Sequence, residues 1–376
     1  MRLRSTAYAC GVMLSLAFST TASADSAVSL YGRAHLSADF IQSGDAEKSS
    51  VSKVASNTSR IGFRGFRDMP GNLKGFFQIE GTVFLDNGNG AINNRESFVG
   101  LEGGFGRARM GYMLAPYDEL HFGIWAAQMN YLSGIGSSGN LWANTNPFQG
   151  VASLDIRQAN VIRYDTPVVN GFQAALQVGL DQTISNAGVI DNNETKNGRR
   201  LTSMKVTYNK GPLRVGVAHQ THDGRRGQNL KDTGNEIAVG YDFGQGLYVG
   251  GIAEALSYEV SGGNLKRNFT GVVARKSFGQ HGVEGFVGKA FDGKGPANSA
   301  IGLANGSGIQ QRAGDGTGAT QMTFTYNYAF DKQTNVYALY TRVNNGNRAN
   351  FTLSGGPSTS VGGAQSGISI GVKYDF

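Results

Sequence analysis

The chain has 376 residues, including 56 glycines, 7 prolines and 1 cysteine, and it carries a formal net charge of +7. Hydrophobic residues make up 40% of the chain, which excludes a disordered protein, and charged residues only 16%, against roughly 25% in soluble domains. Because glycine weakens helix interiors, this composition favours a large all-β protein. The positive charge is small and dispersed, so we predict no nucleic acid partner.

The amino terminus has the charge order of an export signal. Two arginines precede an apolar stretch over residues 7–18, and the small side chains at 22–24 suit signal peptidase. We therefore predict a signal peptide over 1–24 and a single mature domain over 25–376. Cys10 lies too early in the apolar stretch to be a lipoprotein attachment site, and cleavage would remove it.

Strict alternation of apolar and polar residues predicts β-strands with two different faces. It is clearest over residues 368–376, where Ile, Ile, Val, Tyr and Phe share one face and Ser, Gly, Lys and Asp share the other. The same period of two recurs over 203–208, 236–243 and 322–330. Because a soluble β-sandwich has this period too, alternation alone does not place the chain in a membrane.

The lengths of the connections separate these two architectures. Short turns lie near residues 69–72, 103–106, 167–171, 210–212, 244–246, 279–280 and 331–333. Longer polar segments lie near residues 43–57, 86–94, 117–157, 182–199, 223–234, 260–267, 293–320 and 344–364. Seven short turns alternating with eight long loops require sixteen strands. Short turns at one rim and long loops at the other are typical of an outer-membrane barrel, so we predict a 16-stranded antiparallel transmembrane β-barrel.

Several motifs along the mature chain resemble the general porins of Gram-negative bacteria, particularly the betaproteobacterial branch. In family order they are Ser29-Leu30-Tyr31-Gly32, residues 59–65, 73–80, 95–101, 104–106 and 160–167, and the terminal Phe376. The resemblance implies a homotrimer surrounded by outer-membrane lipid, with a long third loop folded into the lumen. It also implies passive diffusion of ions and small hydrophilic solutes, and insertion by the barrel assembly machinery, which would read Phe376 as its signal.

The long connection over residues 117–157 corresponds to the third loop of that family. It holds several large aromatic residues, among them Phe122, Trp125, Tyr131, Trp142 and Phe148. So many large apolar groups argue against disorder and indicate that the segment packs against another part of the protein. The resemblance implies that this part is the inner wall of the barrel.

Charges on the strands next to this loop face the lumen in the predicted barrel. A charge facing lipid costs roughly 2–4 kcal/mol near the membrane midplane, so the lumen is the favourable place. We predict that the basic wall of a pore constriction is formed by Arg60, Arg64, Arg95, Arg109, Arg157 and Arg163. The acidic side and the third loop would contribute Glu80, Asp118, Glu119 and Asp155.

Such a wall would set a transverse field across a narrow passage, because screening acts over ~8 Å at physiological ionic strength. This predicts a porin whose water-filled channel is weakly anion-selective. The competing interpretation is that the arginines pair with carboxylates and merely hold the loop. Many members of the family carry a further arginine where this chain has Tyr112. Strict alternation faces that position towards lipid unless Gly111 marks a β-bulge.

No motif in the sequence indicates catalysis, a metal site or a cofactor. Residues 367–371 match Gly-x-Ser-x-Gly, but that motif needs a sharp strand-to-helix turn, and Ser369 lies within an alternating strand. His219 and His222 are three apart, which places them on opposite faces of a strand.

Three alternatives for the function stay open. They are an outer-membrane barrel enzyme such as a lipase, a secreted adhesive β-sandwich, and a solute-specific channel whose ligand stacks on Trp125, Tyr131 or Trp142.

Overall fold

The computed structural model describes residues 26–44, 49–121, 133–141, 154–180, 183–184, 190–191, 200–226, 229–301 and 311–376. The predicted signal peptide over 1–24 lies outside the described residues. So do five aromatic residues of the third connection, namely Phe122, Trp125, Tyr131, Trp142 and Phe148.

Sixteen strands form one large sheet. They are β1 Ser26–Ser43, β2 in two segments (Ser50–Ser56 and Arg60–Met69), β3 Leu73–Thr82, β4 Ser97–Gly103, β5 Gly106–Leu114, β6 Arg157–Asp165, β7 Phe172–Gly179, β8 Arg200–Lys210, β9 Leu213–Asp223, β10 Lys231–Gly244, β11 Leu247–Val260, β12 Gly263–Phe278, β13 His281–Ala290, β14 Ala319–Ala329, β15 Thr334–Asn345 and β16 Gln365–Asp375. Two short ladders lie outside it, joining Thr183–Ile184 to Ile190–Asp191 and Ala300–Ile301 to Gln311–Arg312.

The sheet closes on itself. Each strand pairs antiparallel with its neighbour in the chain, and β1 also pairs with β16, from Arg33 opposite Asp375 to Ser43 opposite Gln365. Closure pairs the backbone groups that an open edge would leave exposed in lipid. The closed 16-stranded antiparallel barrel predicted from the rhythm of the connections is therefore confirmed.

Strand β2 is interrupted between its two segments, and both segments pair with β1. Thr58 lies in the left-handed region with φ 56°, which takes the backbone out of the ladder. The Ser59 hydroxyl replaces the missing partner, because it accepts from the His35 N–H and donates to the His35 carbonyl oxygen, both at 3.0 Å. The loop predicted over 43–57 is therefore largely strand.

The prediction of a long loop over residues 260–267 is wrong. Strands β11 and β12 pair as far as Val260 opposite Gly263, so that only residues 261 and 262 form the turn. Gly262 and Gly263 have φ values of 86° and 144°, and such backbone conformations permit a tight hairpin turn. The polar residues that follow Gly263 belong to the strand.

The barrel has an apolar outer face and a polar inner face. In β16, Ile368, Ile370 and Val372 are 47–58% exposed, whereas Ser369 between them is fully buried. Outward apolar residues of this kind recur around the sheet and form the surface that lipid covers in an outer-membrane barrel. The described residues contain no helix long and apolar enough to cross a membrane.

The third connection supplies the apolar core inside this polar wall. Its described parts contain the helix α1, Pro116–Leu120, and two turns of 3₁₀ helix, Gly134–Gly136 and Ser138–Asn140. Its fully buried members pack with inward-facing side chains of the wall, in a cluster that includes Tyr117, Leu120, Ile135, Leu141, Leu154, Phe269, Phe286, Leu339 and Phe351.

Candidate pore lining

Helix α1 is held against inward-facing side chains of β8, β9 and β11. The Tyr117 N–H donates to the Ser203 hydroxyl at 3.0 Å, and the Tyr117 hydroxyl donates to Glu254 at 2.6 Å. Farther along the connection, the Gln220 side chain donates to the Leu154 carbonyl oxygen at 2.6 Å. These polar contacts join both ends of the third connection to the wall.

The middle of the third connection is held by other strands. The Gly134 N–H donates to Asn57 at 2.8 Å, in the interruption of β2. The side chains of Gln321 and Thr323 on β14 donate to the carbonyl oxygens of Ser137 and Gly136 at 3.1 and 3.2 Å. These backbone atoms contact two strands that are four apart around the closed sheet, so the described connection bridges β2 and β14.

Arg163 and Glu119 form the strongest charged contact between α1 and the wall. The Arg163 guanidinium donates to both Glu119 oxygens at 2.6 and 2.7 Å and to Asp165 at 2.7 Å, and Arg163 is only 2% exposed. Arg109 donates to Asp165 at 2.6 Å, and Lys205 donates to Glu119 at 2.5 Å. Burial opposes ionisation of Glu119, but Arg163 and Lys205 outweigh it and hold the pKa of that carboxyl well below its usual range.

Glu80 lies among the arginines and not on the opposite side. It accepts from Arg95 at 2.5 Å and from the Tyr31 hydroxyl at 3.0 Å, and Arg60 lies 3.5 Å away. Arg64 stacks over the Tyr31 ring at 4.9 Å and forms no ion pair with any described residue. The sequence grouped Glu80 with the acids of the third connection, whereas the structure places it between Arg60 and Arg95.

The basic wall extends beyond the predicted arginines. Arg33 and Lys373 both contact Asp375, at 2.5 and 3.1 Å, and the alternation of β16 had already placed Lys373 and Asp375 on its polar face. Arg157 lies 3.5 Å from Glu96. We define the basic wall by its cations, which are Arg33, Arg60, Arg64, Arg95, Arg157 and Lys373.

Tyr112 lies in the same region, next to a β-bulge between β5 and β6. Gly111 pairs with Val161 and Met113 with Gln158, so the extra residue lies in β6, where Asn160 has φ 52°. Tyr112 interacts electrostatically with Arg157, Glu96 and Arg95, which places its hydroxyl among the charges of the wall. Tyr112 thus lies near the charges of the basic wall, at a position that strict alternation would face towards lipid.

Asp118 and Asp155 lie buried beside the wall. Asp118 is 3% exposed and shares a cluster with His121 and Asp155, and the His121 Nδ1 atom lies 3.1 Å from Asp155. Burial raises the pKa of both carboxyls above their usual range and lowers the pKa of His121. Asp118 therefore presents no open negative surface to the basic wall.

Two further carboxylates of this cluster escape sequence-based prediction. Glu236 on β10 and Glu254 on β11 lie 3.3 and 3.7 Å from the His121 Nε2 atom, and both side chains are fully buried. Alternation places Glu236 on the polar face of its strand, yet it does not say which part of the third connection lies opposite. Their meeting with His121 depends on the tertiary fold.

The serine of the Gly-x-Ser-x-Gly match has no catalytic geometry. Ser369 is fully buried within β16, and its hydroxyl donates to Asp39 at 2.6 Å. His219 is partly exposed while His222 is buried, as expected for opposite faces of β9. Phe376 exchanges backbone hydrogen bonds with Gly32 at 2.9 and 3.1 Å, which fixes the end of the chain to β1.

Known proteins are similar to this chain over most of its length. Outer membrane porin protein 32 of Delftia acidovorans is 29% identical over 378 residues, covering 96% of this chain and 97% of that protein. The chitoporin of Vibrio furnissii is 29% identical over 293 residues, covering 74% and 75%. The solved structure of an anion-selective porin from Comamonas acidovorans matches with a TM-score of 0.75 at 25% identity, covering 93% and 100%.

The family model of the Gram-negative porins matches residues 9–348. That match spans most of the barrel, including the third connection and five of the six cations of the basic wall. Together with the closed sheet and its apolar outer face, it shows that the chain belongs to the Gram-negative porin family and is a protein of the outer membrane.

Proposed function

We propose that this porin passes ions and small hydrophilic solutes by passive diffusion and favours anions, with the basic wall as its selective element. The observation that carries the proposal is an imbalance of charge. The wall has six cations, and among the residues that the structure describes, the three carboxylates that form ion pairs with them are Glu80, Glu96 and Asp375. Half of the positive charge is therefore uncompensated within the wall.

The acids of the third connection do little to offset this excess. Glu119 is engaged by Arg163 and Lys205, and Asp118 is buried. Fixed charges act on passing ions over about 8 Å at physiological ionic strength, so a wall beside a narrow passage biases which ions enter. An anion meets attraction along the wall, whereas a cation meets repulsion.

The predicted site residues divide into two groups in this proposal. Arg60, Arg95 and Arg157 are 14–25% exposed and act on ions together with Arg64. Arg109 and Arg163 are the more buried pair. Arg163 holds Glu119 of the third connection and Arg109 pairs with Asp165, as the competing interpretation of the arginines expects. The similarity to an anion-selective porin supports the sign of the preference.

Assembly completes the proposal. A homotrimer surrounded by outer-membrane lipid is the assembly that the family resemblance implies, with the third connection narrowing each of the three channels. The barrel assembly machinery would recognise the last strand, whose terminal Phe376 is 46% exposed. Neither catalysis nor a cofactor is needed for passive diffusion.

Single-channel recording of the purified protein in a planar bilayer tests this function. We expect conductance steps that arrive in threes. We also expect the conductance to rise in proportion to the electrolyte concentration, without saturation. Saturable block by one solute would instead favour a solute-specific channel. Silence from correctly folded protein would overturn the channel function.

A further inference from the structure

The third connection also contacts the inner face of the barrel at a second polar site, which is separate from the basic wall. We propose that His121, Glu236 and Glu254 bind one divalent transition-metal ion of the Zn²⁺ or Mn²⁺ kind, which fastens α1 to β10 and β11. The sequence predicted no metal site, because neither histidine spacing nor strand alternation brings these three residues together.

The distances suit shared coordination. The His121 Nε2 atom lies 3.3 Å from a Glu236 oxygen and 3.7 Å from a Glu254 oxygen, and donor atoms of the three residues lie within 4.8 Å of one another. Nitrogen and oxygen ligands bind Zn²⁺ at about 2.0–2.2 Å, which separates neighbouring ligand atoms by roughly 3.0–3.6 Å. Small side-chain movements would complete the site.

Carboxylate oxygens without hydrogen-bond partners belong to the residues grouped around His121. The Glu236 side chain is fully buried, and neither of its carboxylate oxygens has a hydrogen-bond partner among the residues that the structure describes. One oxygen of Glu254 and one of Asp118 are in the same condition. A buried carboxylate without partners is costly, and a bound cation removes that cost.

Compensating basic side chains are directed elsewhere. In the described part of the chain, neither Glu236 nor Glu254 forms an ion pair with an arginine or lysine, and the basic side chain next to both is the imidazole of His121, at 3.3 and 3.7 Å. Lys205 is engaged by Glu119, and Arg267 donates to the Leu141 carbonyl oxygen. A dication would supply the positive charge that this pair lacks.

The surrounding contacts resemble the outer shell of a metal site. Asp155 lies 3.1 Å from His121 Nδ1, so it orients the ring with Nε2 towards the two glutamates. The Tyr117 hydroxyl donates to Glu254 at 2.6 Å. A hydrogen bond such as that from Tyr117 fixes the position of a ligating carboxylate, and a carboxylate beside Nδ1 suits a histidine that ligates through Nε2. The imidazole favours Zn²⁺ over Mg²⁺ and Ca²⁺, which prefer oxygen ligands, and the two carboxylates also suit Mn²⁺.

Metal content provides the direct test. The purified full-length porin in detergent is stripped with a chelator, equilibrated with Zn²⁺, Mn²⁺ or Mg²⁺ alone, dialysed and analysed by mass spectrometry of the metal. We expect about one Zn²⁺ or Mn²⁺ per chain and no retained Mg²⁺. We also expect Glu236→Gln and His121→Asn to weaken binding at least tenfold.

Glu284→Gln is the matched control, because Glu284 is a buried inward carboxylate on β13 outside this cluster. It should bind metal like the wild type. Circular dichroism confirms that each variant is folded, and Mn²⁺ electron paramagnetic resonance should show nitrogen coupling that His121→Asn removes. No retained metal in the folded wild type, or equal binding by Glu236→Gln and Glu284→Gln, would overturn the site and indicate neutralisation by protons.

A consequence for conductance rests on the proposed channel function. If the metal fastens α1, then chelation should increase the open-channel noise of the wild type and leave that of Glu236→Gln unchanged. Metal retention is measured on the purified protein without recording current, and chloride preference is measured in the absence of added metal. Failure of the metal site is therefore distinguishable from failure of the proposed channel function.

Discussion

Arg163 on the barrel wall and Glu119 on α1 face each other in a bidentate ion pair, with nitrogen–oxygen distances of 2.6 and 2.7 Å. The fork geometry of the guanidinium matches the carboxylate, and its remaining donors reach Asp165. A charge that could have acted on ions in the pore is thereby used to fix the third connection.

Replacing Arg163 with Gln should loosen that connection. Glu119 would keep only Lys205, and breaking a buried ion pair costs about 3–5 kcal/mol. We expect a lower denaturation temperature and more frequent current fluctuations at unchanged ion preference. Arg107→Gln is the control, because its pair with Glu102 is about 40% exposed and contributes no more than about 1 kcal/mol. Equal losses in the two variants would contradict the assignment of Arg163.

Removing Arg64 should change the anion preference of the channel while leaving its stability nearly unchanged. It stacks on Tyr31 without an ion pair among the described residues, so its removal leaves no buried carboxylate behind. We expect Arg64→Gln to lower the chloride-to-potassium permeability ratio and Arg64→Glu to lower it further, with little change in denaturation temperature. An unchanged ratio in Arg64→Glu would show that Arg64 does not act on passing ions.

Tyr112 offers a test of which way position 112 faces. Because Tyr112 lies near the charges of the basic wall, Tyr112→Arg should add a cation to the wall and raise chloride preference. If position 112 faced lipid instead, the arginine would cost roughly 2–4 kcal/mol and lower the yield of folded barrel. The folded yield and the reversal potential together distinguish the two orientations.

Gly234 sets how closely the third connection approaches β10. A Cβ atom at this position would lie 2.7 Å from the Tyr117 hydroxyl oxygen and 2.7 Å from a Leu154 methyl carbon. Gly234→Ala should therefore displace α1 and destabilise the barrel by about 1–3 kcal/mol, as overpacking does. Gly285→Ala is the control, since a Cβ there meets no atom within 4 Å. Equal stability of the two variants would contradict this packing.

The sequence predicts the barrel well because its strongest signals are local. Alternation fixes the faces of a strand such as β16, and short turns fix which strands are neighbours. The prediction fails where local polarity misleads, as in the segment 50–56, which is polar but pairs with β1. It also fails at the hairpin after Val260, where two glycines shorten the turn.

The charged contacts are less predictable, since they depend on where the third connection meets the wall. Alternation turns Arg60, Arg163 and Glu80 inward, yet only the fold shows that Glu80 lies between Arg60 and Arg95. Likewise, His121 and Glu236 are far apart in the chain and 3.3 Å apart in space. Which arginines remain available to ions follows from these pairings.

The reversal potential of the purified wild-type porin in a planar bilayer, measured across a KCl gradient, tests the account of the basic wall most directly. An excess of cations along the lumen predicts a potential displaced towards the chloride equilibrium value. A potential displaced towards that of potassium would contradict the wall as the selective element, even though the protein conducts.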